Sequence, residues 1–220
     1  MKLLCLGDSI TDCGRLFDAP PLGKGYVRLL YDLLNAPSHQ KNPLNFHQGK
    51  AKSSWEIQNR GVDGFTVARL LENAPGRYLG YPADLITILI GINDVGLMMN
   101  TGRTETQKNI MMQDFFRKYD QLLSLLSTKK VPLILMEPFI FPNPSEYLTW
   151  FPMVEKMSKG ISILAEKYSC TYLLLHRDLN RLYQESAPFS VTTDGIHLTI
   201  KGHQIIADKI GDCIRRTGLV

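Results

Sequence analysis

A chain of 220 residues and 24.9 kDa, with 44% hydrophobic and 21% charged residues, is long enough to bury the core of a globular domain. Its formal net charge of +4 comes from 25 basic and 21 acidic residues spread along the chain. Nucleic-acid binding usually needs a basic stripe, so this pattern argues against a nucleic-acid partner. No apolar stretch reaches the ~18 residues of a membrane span, and no Ser/Gly-rich linker divides the chain. We expect one domain over residues 1–220 and leave a homo-oligomer open.

The four cysteines form no C-x-x-C pair and have no His at metal-ligand spacing. Such thiols are typical of a reduced, cytoplasmic protein. The apolar run after Lys2 is broken by Gly7-Asp8, so it is too short for the apolar region of a signal peptide. The sequence therefore predicts a cytoplasmic location and gives no indication of a metal or a cofactor.

Short apolar runs alternate with segments of helical periodicity along the first half of the chain. The run over residues 3–6 is typical of a parallel strand covered on both faces. A long Gly- and Pro-rich loop is predicted after it, from Ser9 to Gly25. Apolar residues spaced three and four apart predict a helix over 26–34. A polar region then covers 38–53. Further strands are predicted over 55–58 and 84–90, with a helix between them that starts at Thr66 and is closed by Pro75-Gly76.

The second half of the chain continues the same alternation. A loop carrying Met98 and Met99 is predicted to lead into a helix from about Lys108. Strands are expected over 131–136 and 171–175, with a helix between them, and the chain closes in an amphipathic helix. Five strands alternating with helices predict a parallel, doubly wound three-layer α/β/α sandwich.

Ser9 is a candidate nucleophile because it directly follows the first predicted strand. The carboxyl ends of parallel strands share one edge of the sheet, where open α/β folds bind ligands. His197 could take the Ser9 hydroxyl proton as a general base, and Asp194 could fix its tautomer and stabilise the imidazolium. Gly61 and Asn93 follow the next two strands, so the backbone N–H groups of Ser9 and Gly61 and the Asn93 amide could bind an oxyanion.

Each of these motifs also has a structural interpretation. Gly-Asp-Ser after a strand can be a turn with a helix cap, Asp-Gly is a common turn dipeptide, and a single His is more often structural than catalytic. The four motifs in this order are far more specific than any one of them. The Gly-x-Ser-x-Gly elbow of α/β-hydrolases is absent, because Thr11 occupies the second Gly position.

With these motifs in family order, the sequence resembles the SGNH hydrolase superfamily of GDSL-type esterases, lipases and acylhydrolases. The blocks are Gly7-Asp8-Ser9-Ile10-Thr11, the Gly61 block, Gly91-Ile92-Asn93-Asp94 and Asp194-Gly195-Ile196-His197. The resemblance implies a flavodoxin-like fold with a five-stranded parallel sheet, Ser9, His197 and Asp194 as the catalytic triad, and Ser9, Gly61 and Asn93 as the oxyanion hole. It implies cleavage of a small-molecule carboxylic ester through an acyl-Ser9 intermediate.

The substrate is less closely defined by the sequence. We expect a short- to medium-chain esterase, with a carbohydrate O-deacetylase, a lysophospholipase or a thioesterase as alternatives. Met98, Met99, Phe139 and Trp150 follow the third and fourth predicted strands, so they could line an apolar substrate pocket. Ordinary packing beneath long loops is the favoured explanation for these four residues.

Two further hypotheses lie outside the resemblance. A metal-dependent phosphoesterase could use Asp8, Asn93, Asp94, Asp194 and His197 as ligands, although one His is few for such a site. A binding module without turnover could keep the fold, but it would not require an activated hydroxyl.

Overall fold

The structure is a computed structural model that describes residues 1–36, 54–100, 102–187 and 189–216. The polar region expected over 38–53 lies outside the described residues. A five-stranded, all-parallel sheet forms the centre of the described part, in the order β2-β1-β3-β4-β5. The strands are β1 (Lys2–Gly7), β2 (Glu56–Asn59), β3 (Leu85–Leu89), β4 (Leu133–Met136) and β5 (Thr171–Leu173). This is the strand order of flavodoxin-like folds, with its topological switch point between β1 and β3.

Helices connect the strands, as the sequence predicts. In the described residues they are α1 (Ser9–Asp12), α2 (Tyr26–Asn35), α3 (Val67–Asn73), α4 (Ile92–Met99), α5 (Glu105–Ser127), α6 (Phe151–Lys167), α7 (His176–Gln184) and α8 (Ile200–Arg216). Short 3-10 turns cover Arg15–Phe17 and Ser145–Trp150, and a π-helical turn covers Ala74–Tyr78.

The core lies on both faces of the sheet. Every residue of β3 is buried, which explains why that strand reads as a continuous apolar run rather than an alternating one. The helices form two groups: α2 packs against α8, and α3, α4 and α6 pack against α5. These two groups of helices bury their apolar faces against the sheet, which gives the predicted α/β fold.

Several local predictions were wrong. The expected loop after Ser9 begins with α1, because the Asp8 carboxylate accepts a hydrogen bond from the Ile10 N–H at 3.0 Å and caps the helix. The expected loop carrying Met98 and Met99 is the end of α4, which starts directly after Gly91. Pro75-Gly76 does not close α3, because the chain continues there as a π-helical turn to Tyr78.

The carboxyl ends of the strands carry the site. α1 follows β1, α4 follows β3, and the segment after Asn59 follows β2, so these three segments converge at the switch point. No helix within the described ranges is both long and apolar enough to cross a membrane.

Candidate active site

Ser9 is held at the junction of β1 and α1. It is the first residue of α1, and Asp8 before it has the extended conformation of an N-cap. A Cβ at Gly7 would lie 2.1 Å from Thr11 Oγ1 and 2.5 Å from the Leu89 carbonyl oxygen, so only glycine fits between the helix and β3. The tight packing places Ser9 next to the end of β3.

The Ser9 hydroxyl lies within hydrogen-bond distance of His197. Its Oγ is 2.9 Å from His197 Nε2, although 188 positions separate the two residues. The other ring nitrogen, Nδ1, is 2.6 Å from Asp194 Oδ2. This Ser-His-Asp arrangement is the one that generates a serine nucleophile in unrelated folds.

The loop that carries His197 is held at both ends. The Thr192 hydroxyl donates to the His197 carbonyl at 2.7 Å and accepts from the Gly195 N–H at 2.9 Å. Gly195 has φ +91, and a Cβ there would lie 2.0 Å from the Asn143 carbonyl oxygen. The loop therefore packs closely against the segment after β4, which fixes the direction of the imidazole.

Hydrogen bonds keep Asp194 ionised. Partial burial raises the pKa of this carboxyl, but the His197 ring and the backbone N–H groups of His197 and Ile196 donate to it and lower its pKa overall. A carboxylate with a lowered pKa accepts the Nδ1–H of His197 near neutral pH. His197 Nε2 is then free to accept the Ser9 proton.

The Asn93 side chain is positioned for oxyanion binding. It lies in the first turn of α4, and its Nδ2 donates to the Phe65 carbonyl at 2.9 Å. One amide hydrogen is used in this bond, and the second has no acceptor among the residues that the structure describes. The Ser9 N–H has no acceptor within the described residues, as expected at the first position of a helix.

Gly61 is engaged elsewhere, contrary to its expected role. Its N–H donates to Asn59 Oδ1 at 2.9 Å, and its carbonyl accepts from Arg15 Nε at 2.7 Å. A Cβ at Gly61 would lie 2.2 Å from the Asp12 nitrogen. Glycine is therefore required here for close packing against α1, and the N–H is not free to bind an oxyanion.

Gly64 is the glycine of this segment that faces the Asn93 cavity. It has φ +71 in a turn closed by the bond from the Phe65 N–H to the Val62 carbonyl, and its own N–H has no acceptor among the described residues. The Asp63-Gly64 dipeptide is a turn signal in the sequence. That signal could have directed attention from Gly61 to Gly64.

A cavity of about 320 Å³ opens beside Asn93. Trp150 closes one side, with its ring 3.7 Å from the position of a Cβ on Gly96 and its centroid 4.7 Å from that of Tyr147. Such a volume is at the small end of ligand-binding sites. The remaining lining residues are Gly64, Thr66, Ile92, Leu97, Asn100 and Ile196.

A second, apolar cavity of about 360 Å³ lies between α3, α4 and α5. It shares Thr66 and Leu97 with the first cavity, so the two cavities have a common wall. Met98 and Ile110 contribute to its apolar lining, and Asp94 lies at its inner side.

The four expected substrate-binding residues take different places. Trp150 lines the cavity beside Asn93, and Met98 lines the apolar cavity. Met99 is half-buried and packs on the core. The assignment of Phe139 needs correction, because it is 1% exposed and packs edge-to-face on Phe141 in the core.

Two carboxyl groups beside the nucleophile are buried. Burial raises the pKa of Asp8 to about 7, partly offset by the Ile10 N–H, and Asp8 Oδ2 has no hydrogen-bond partner in the described part of the chain. Burial also raises the pKa of Asp94 to about 7, although the Val67 N–H donates to it at 3.2 Å. Both side chains hold backbone in place around the site.

The hypothesis of a metal site finds no support in this geometry. Asp194 and His197 are bonded to each other, and Asp94 is bonded to the Val67 N–H. The described ranges contain no group of three or more His, Cys, Asp or Glu side chains that could hold a metal ion.

Comparison with known proteins identifies relatives with this fold. An acetylxylan esterase from Geobacillus stearothermophilus is 27% identical over 217 residues, which cover 94% of this chain and 90% of that protein. Its crystal structure matches with a TM-score of 0.77 and 26% identity, over 97% of this chain and 92% of that one. A GDSL-like lipase from Parabacteroides merdae, described as putative, matches with a TM-score of 0.78 and 26% identity, over 100% and 96% of the two chains.

The family match covers nearly the whole sequence. Residues 5–205 match the GDSL-like Lipase/Acylhydrolase family, and this range includes all four motif blocks. The chain therefore belongs to the GDSL-like lipase/acylhydrolase family and is a carboxylic ester hydrolase.

Proposed function

We propose that this hydrolase removes acetyl or other short acyl groups from a carbohydrate through an acyl-Ser9 intermediate. The observation that carries the proposal is the contact of 2.9 Å between Ser9 Oγ and His197 Nε2. The small cavity lined by Trp150 and by Ile196, the residue before His197, supports a short acyl group. The similarity to an acetylxylan esterase supports a carbohydrate ester as substrate.

The chemistry has two steps. His197 Nε2 takes the Ser9 proton as Oγ attacks the ester carbonyl, and the imidazolium then returns this proton to the leaving sugar oxygen. Water next attacks the acyl-Ser9 carbonyl as His197 takes its proton; the bond to Oγ then breaks, His197 returns the proton to Oγ, and the carboxylic acid leaves. Asp194 holds the ring through Nδ1 in both steps.

In this mechanism, the negative oxygen formed in each step is bound by neutral donors. We assign this role to the Ser9 N–H, the Asn93 amide and the Gly64 N–H in place of the Gly61 N–H. Two observations support the assignment. The N–H groups of Ser9 and Gly64 have no acceptor among the described residues, and the bond to the Phe65 carbonyl positions the Asn93 amide.

Related crystal structures support the same triad. Catalytic mutants of the Geobacillus enzyme are changed at a serine, an aspartate and a histidine. In that enzyme the aspartate precedes the histidine by three positions, which is the spacing of Asp194 and His197 here.

The apolar cavity supports a second candidate, a medium-chain acyl hydrolase. It adjoins the Asn93 cavity at Thr66 and Leu97, so movement of these two side chains would give a longer acyl chain an apolar space next to the site. A 4-nitrophenyl ester series from acetate to decanoate separates the two candidates. A carbohydrate deacetylase should prefer the acetate and release acetate from an acetylated xylo-oligosaccharide.

The variant Trp150→Ala sharpens this test. Removal of the indole enlarges the cavity, so the preference should shift from acetate towards longer chains by about tenfold, which corresponds to ~1.4 kcal/mol. Phe139→Leu, a change in the core away from this cavity, is the matched control and should keep the native preference. A native preference for decanoate, or no acetate from the acetylated oligosaccharide, would contradict the deacetylase proposal.

We also propose that the chain forms one domain and acts in the cytoplasm. Its first strand lies inside the sheet, between β2 and β3, and its last described helix packs on α2, which supports one cooperative unit. All four cysteines fall within described residues and are free thiols, which supports a reducing compartment.

A further inference from the structure

A third cavity, of about 440 Å³, opens at the same edge of the sheet as the active site. Glu137 directly follows β4, and His176 begins the helix that follows β5. The cavity therefore opens at the carboxyl ends of β4 and β5. Because these strands are parallel to β1, this is also the edge that carries Ser9. Its remaining lining residues are Phe151, Glu155, Arg177, Asn180, Arg181 and Gln184.

The buried ring of His176 has one defined tautomer. The Ile140 N–H, which can only donate, points to His176 Nδ1 at 3.4 Å, and the Asn180 amide lies 3.3 Å from the same atom. Nδ1 is therefore the acceptor, so the hydrogen of the neutral ring is on Nε2. Burial lowers the pKa of His176, which keeps the ring neutral.

Among the described residues, none accepts the Nε2–H of His176. The residue is 9% exposed and lines the cavity, so this N–H can donate to a ligand there. The neighbouring Glu137 carboxylate is unavailable to a ligand, because it accepts from the Ser158 hydroxyl and from the Leu175 and His176 N–H groups.

The rest of the lining fits a neutral ligand with many hydroxyl groups. Two arginines, Arg177 and Arg181, and two glutamates line the cavity, so the formal charges of the lining sum to zero and do not select an anion. Phe151 offers an apolar surface and packs edge-to-face on His176, with ring centroids 4.8 Å apart. Donors and acceptors around an aromatic ring match the alternating polar edge and apolar face of a sugar.

The position of this cavity relates it to the catalytic site. Trp150 lines the cavity beside Asn93, and the next residue, Phe151, lines the His176 cavity. Adjacent Cα atoms are about 3.8 Å apart. The start of α6 therefore separates the two cavities, so one extended molecule could contact both.

We propose that the His176 cavity is a second sugar-binding subsite, which holds a distal, unesterified sugar unit while an acylated unit of the same oligosaccharide reacts at Ser9. The inference rests on the proposed function, because it takes the substrate to be an acylated carbohydrate. The subsite makes the enzyme prefer oligosaccharide esters to esters of single sugars.

Direct binding of an unesterified ligand tests the subsite apart from catalysis. The dissociation constant of the whole protein for xylose and for xylo-oligosaccharides of two to six units is measured by calorimetry. Affinity should rise with length until both cavities are spanned. Glu155→Ala should weaken oligosaccharide binding by about tenfold, since it removes a charged acceptor. The matched change Glu166→Ala, on an exposed part of the same helix, should not.

His176→Asn tests the Nε2–H donor, because the asparagine keeps an acceptor for the Ile140 N–H and lacks the Nε2–H; thermal unfolding is measured to verify folding. Both Glu155→Ala and His176→Asn should raise KM for an acetylated xylo-oligosaccharide and leave kcat for 4-nitrophenyl acetate unchanged. Oligosaccharide affinity that does not depend on length, or that is equal in the native protein and in folded Glu155→Ala and His176→Asn, would overturn the subsite. If native protein binds the oligosaccharide but releases no acetate from its ester, the proposed function fails instead.

Discussion

Asp194 contacts His197 through both of its carboxylate oxygens. Oδ2 lies 2.6 Å from the ring nitrogen Nδ1, and Oδ1 accepts the backbone N–H of the same residue at 2.7 Å. One carboxylate thus fixes the backbone and the ring of His197 together. The spacing of three residues allows this double contact, and the loop around Gly195 holds it against the segment after β4.

Asp194→Asn should lower kcat by about 10⁴-fold, because an amide at this position can donate to Nδ1 and favour the wrong tautomer. The residue is half-exposed, so thermal unfolding should change little. Ester turnover and the unfolding midpoint are measured on the same preparation. Retention of more than a tenth of native kcat would contradict the role of Asp194.

Asn93→Ala should lower kcat by about 10²- to 10³-fold with a smaller change in KM, as expected when one oxyanion donor is lost. Steady-state kinetics with a 4-nitrophenyl ester gives both constants. Asn100→Ala, a change on the wall of the same cavity, is the control and should retain most of the native kcat. Equal kcat in native protein and Asn93→Ala would remove Asn93 from the mechanism.

Asn59→Leu should destabilise the protein by at least about 3 kcal/mol. The buried Asn59 amide donates to the Thr11 and Leu22 carbonyls, both at 2.7 Å, and accepts the Gly61 N–H. The leucine would leave these backbone groups unpaired. Urea unfolding measures the loss, with Gln58→Leu on the same strand as the control, and a loss below 1 kcal/mol would show that the network contributes little.

Asp8→Asn should change how stability depends on pH. Burial raises the pKa of Asp8 from 3.8 to about 7, so between these values the folded state binds a proton that the unfolded state has released. The contribution of Asp8 to the free energy of unfolding therefore falls by up to ~1.4 kcal/mol per pH unit as the pH rises. Asparagine keeps the capping oxygen and cannot ionise, so the variant should be more stable than native protein at pH 8 and similar to it at pH 4.

The difference between the two unfolding curves isolates this group. Asp94 acts in the same direction, whereas His203 acts in the opposite one, because burial lowers its pKa to about 4. Asp94 and His203 are present in both the native protein and Asp8→Asn, so their contributions cancel in the difference. A stability difference that is the same at pH 4 and pH 8 would show that Asp8 does not titrate in this range.

The sequence predicted the strands well because buried parallel strands leave long apolar runs, and residues 84–90 are the clearest case. The family order of the motifs anticipated the contacts that join Ser9, His197 and Asp194. α1 and α4 were missed because Gly-Asp-Ser and Gly-x-Asn-Asp suit both turns and helix starts. The Asp63-Gly64 turn signal marks a second candidate glycine, but the choice between Gly61 and Gly64 depends on where each N–H points, which the backbone geometry shows.

The measurement that tests the account most directly is intact-protein mass spectrometry after exposure to a small fluorophosphonate, with peptide mapping. The account predicts a single adduct on Ser9, loss of ester turnover in proportion to labelling, and no adduct on folded Ser9→Ala. Full turnover by folded Ser9→Ala, or an adduct on another residue that accompanies inactivation, would contradict Ser9 as the nucleophile.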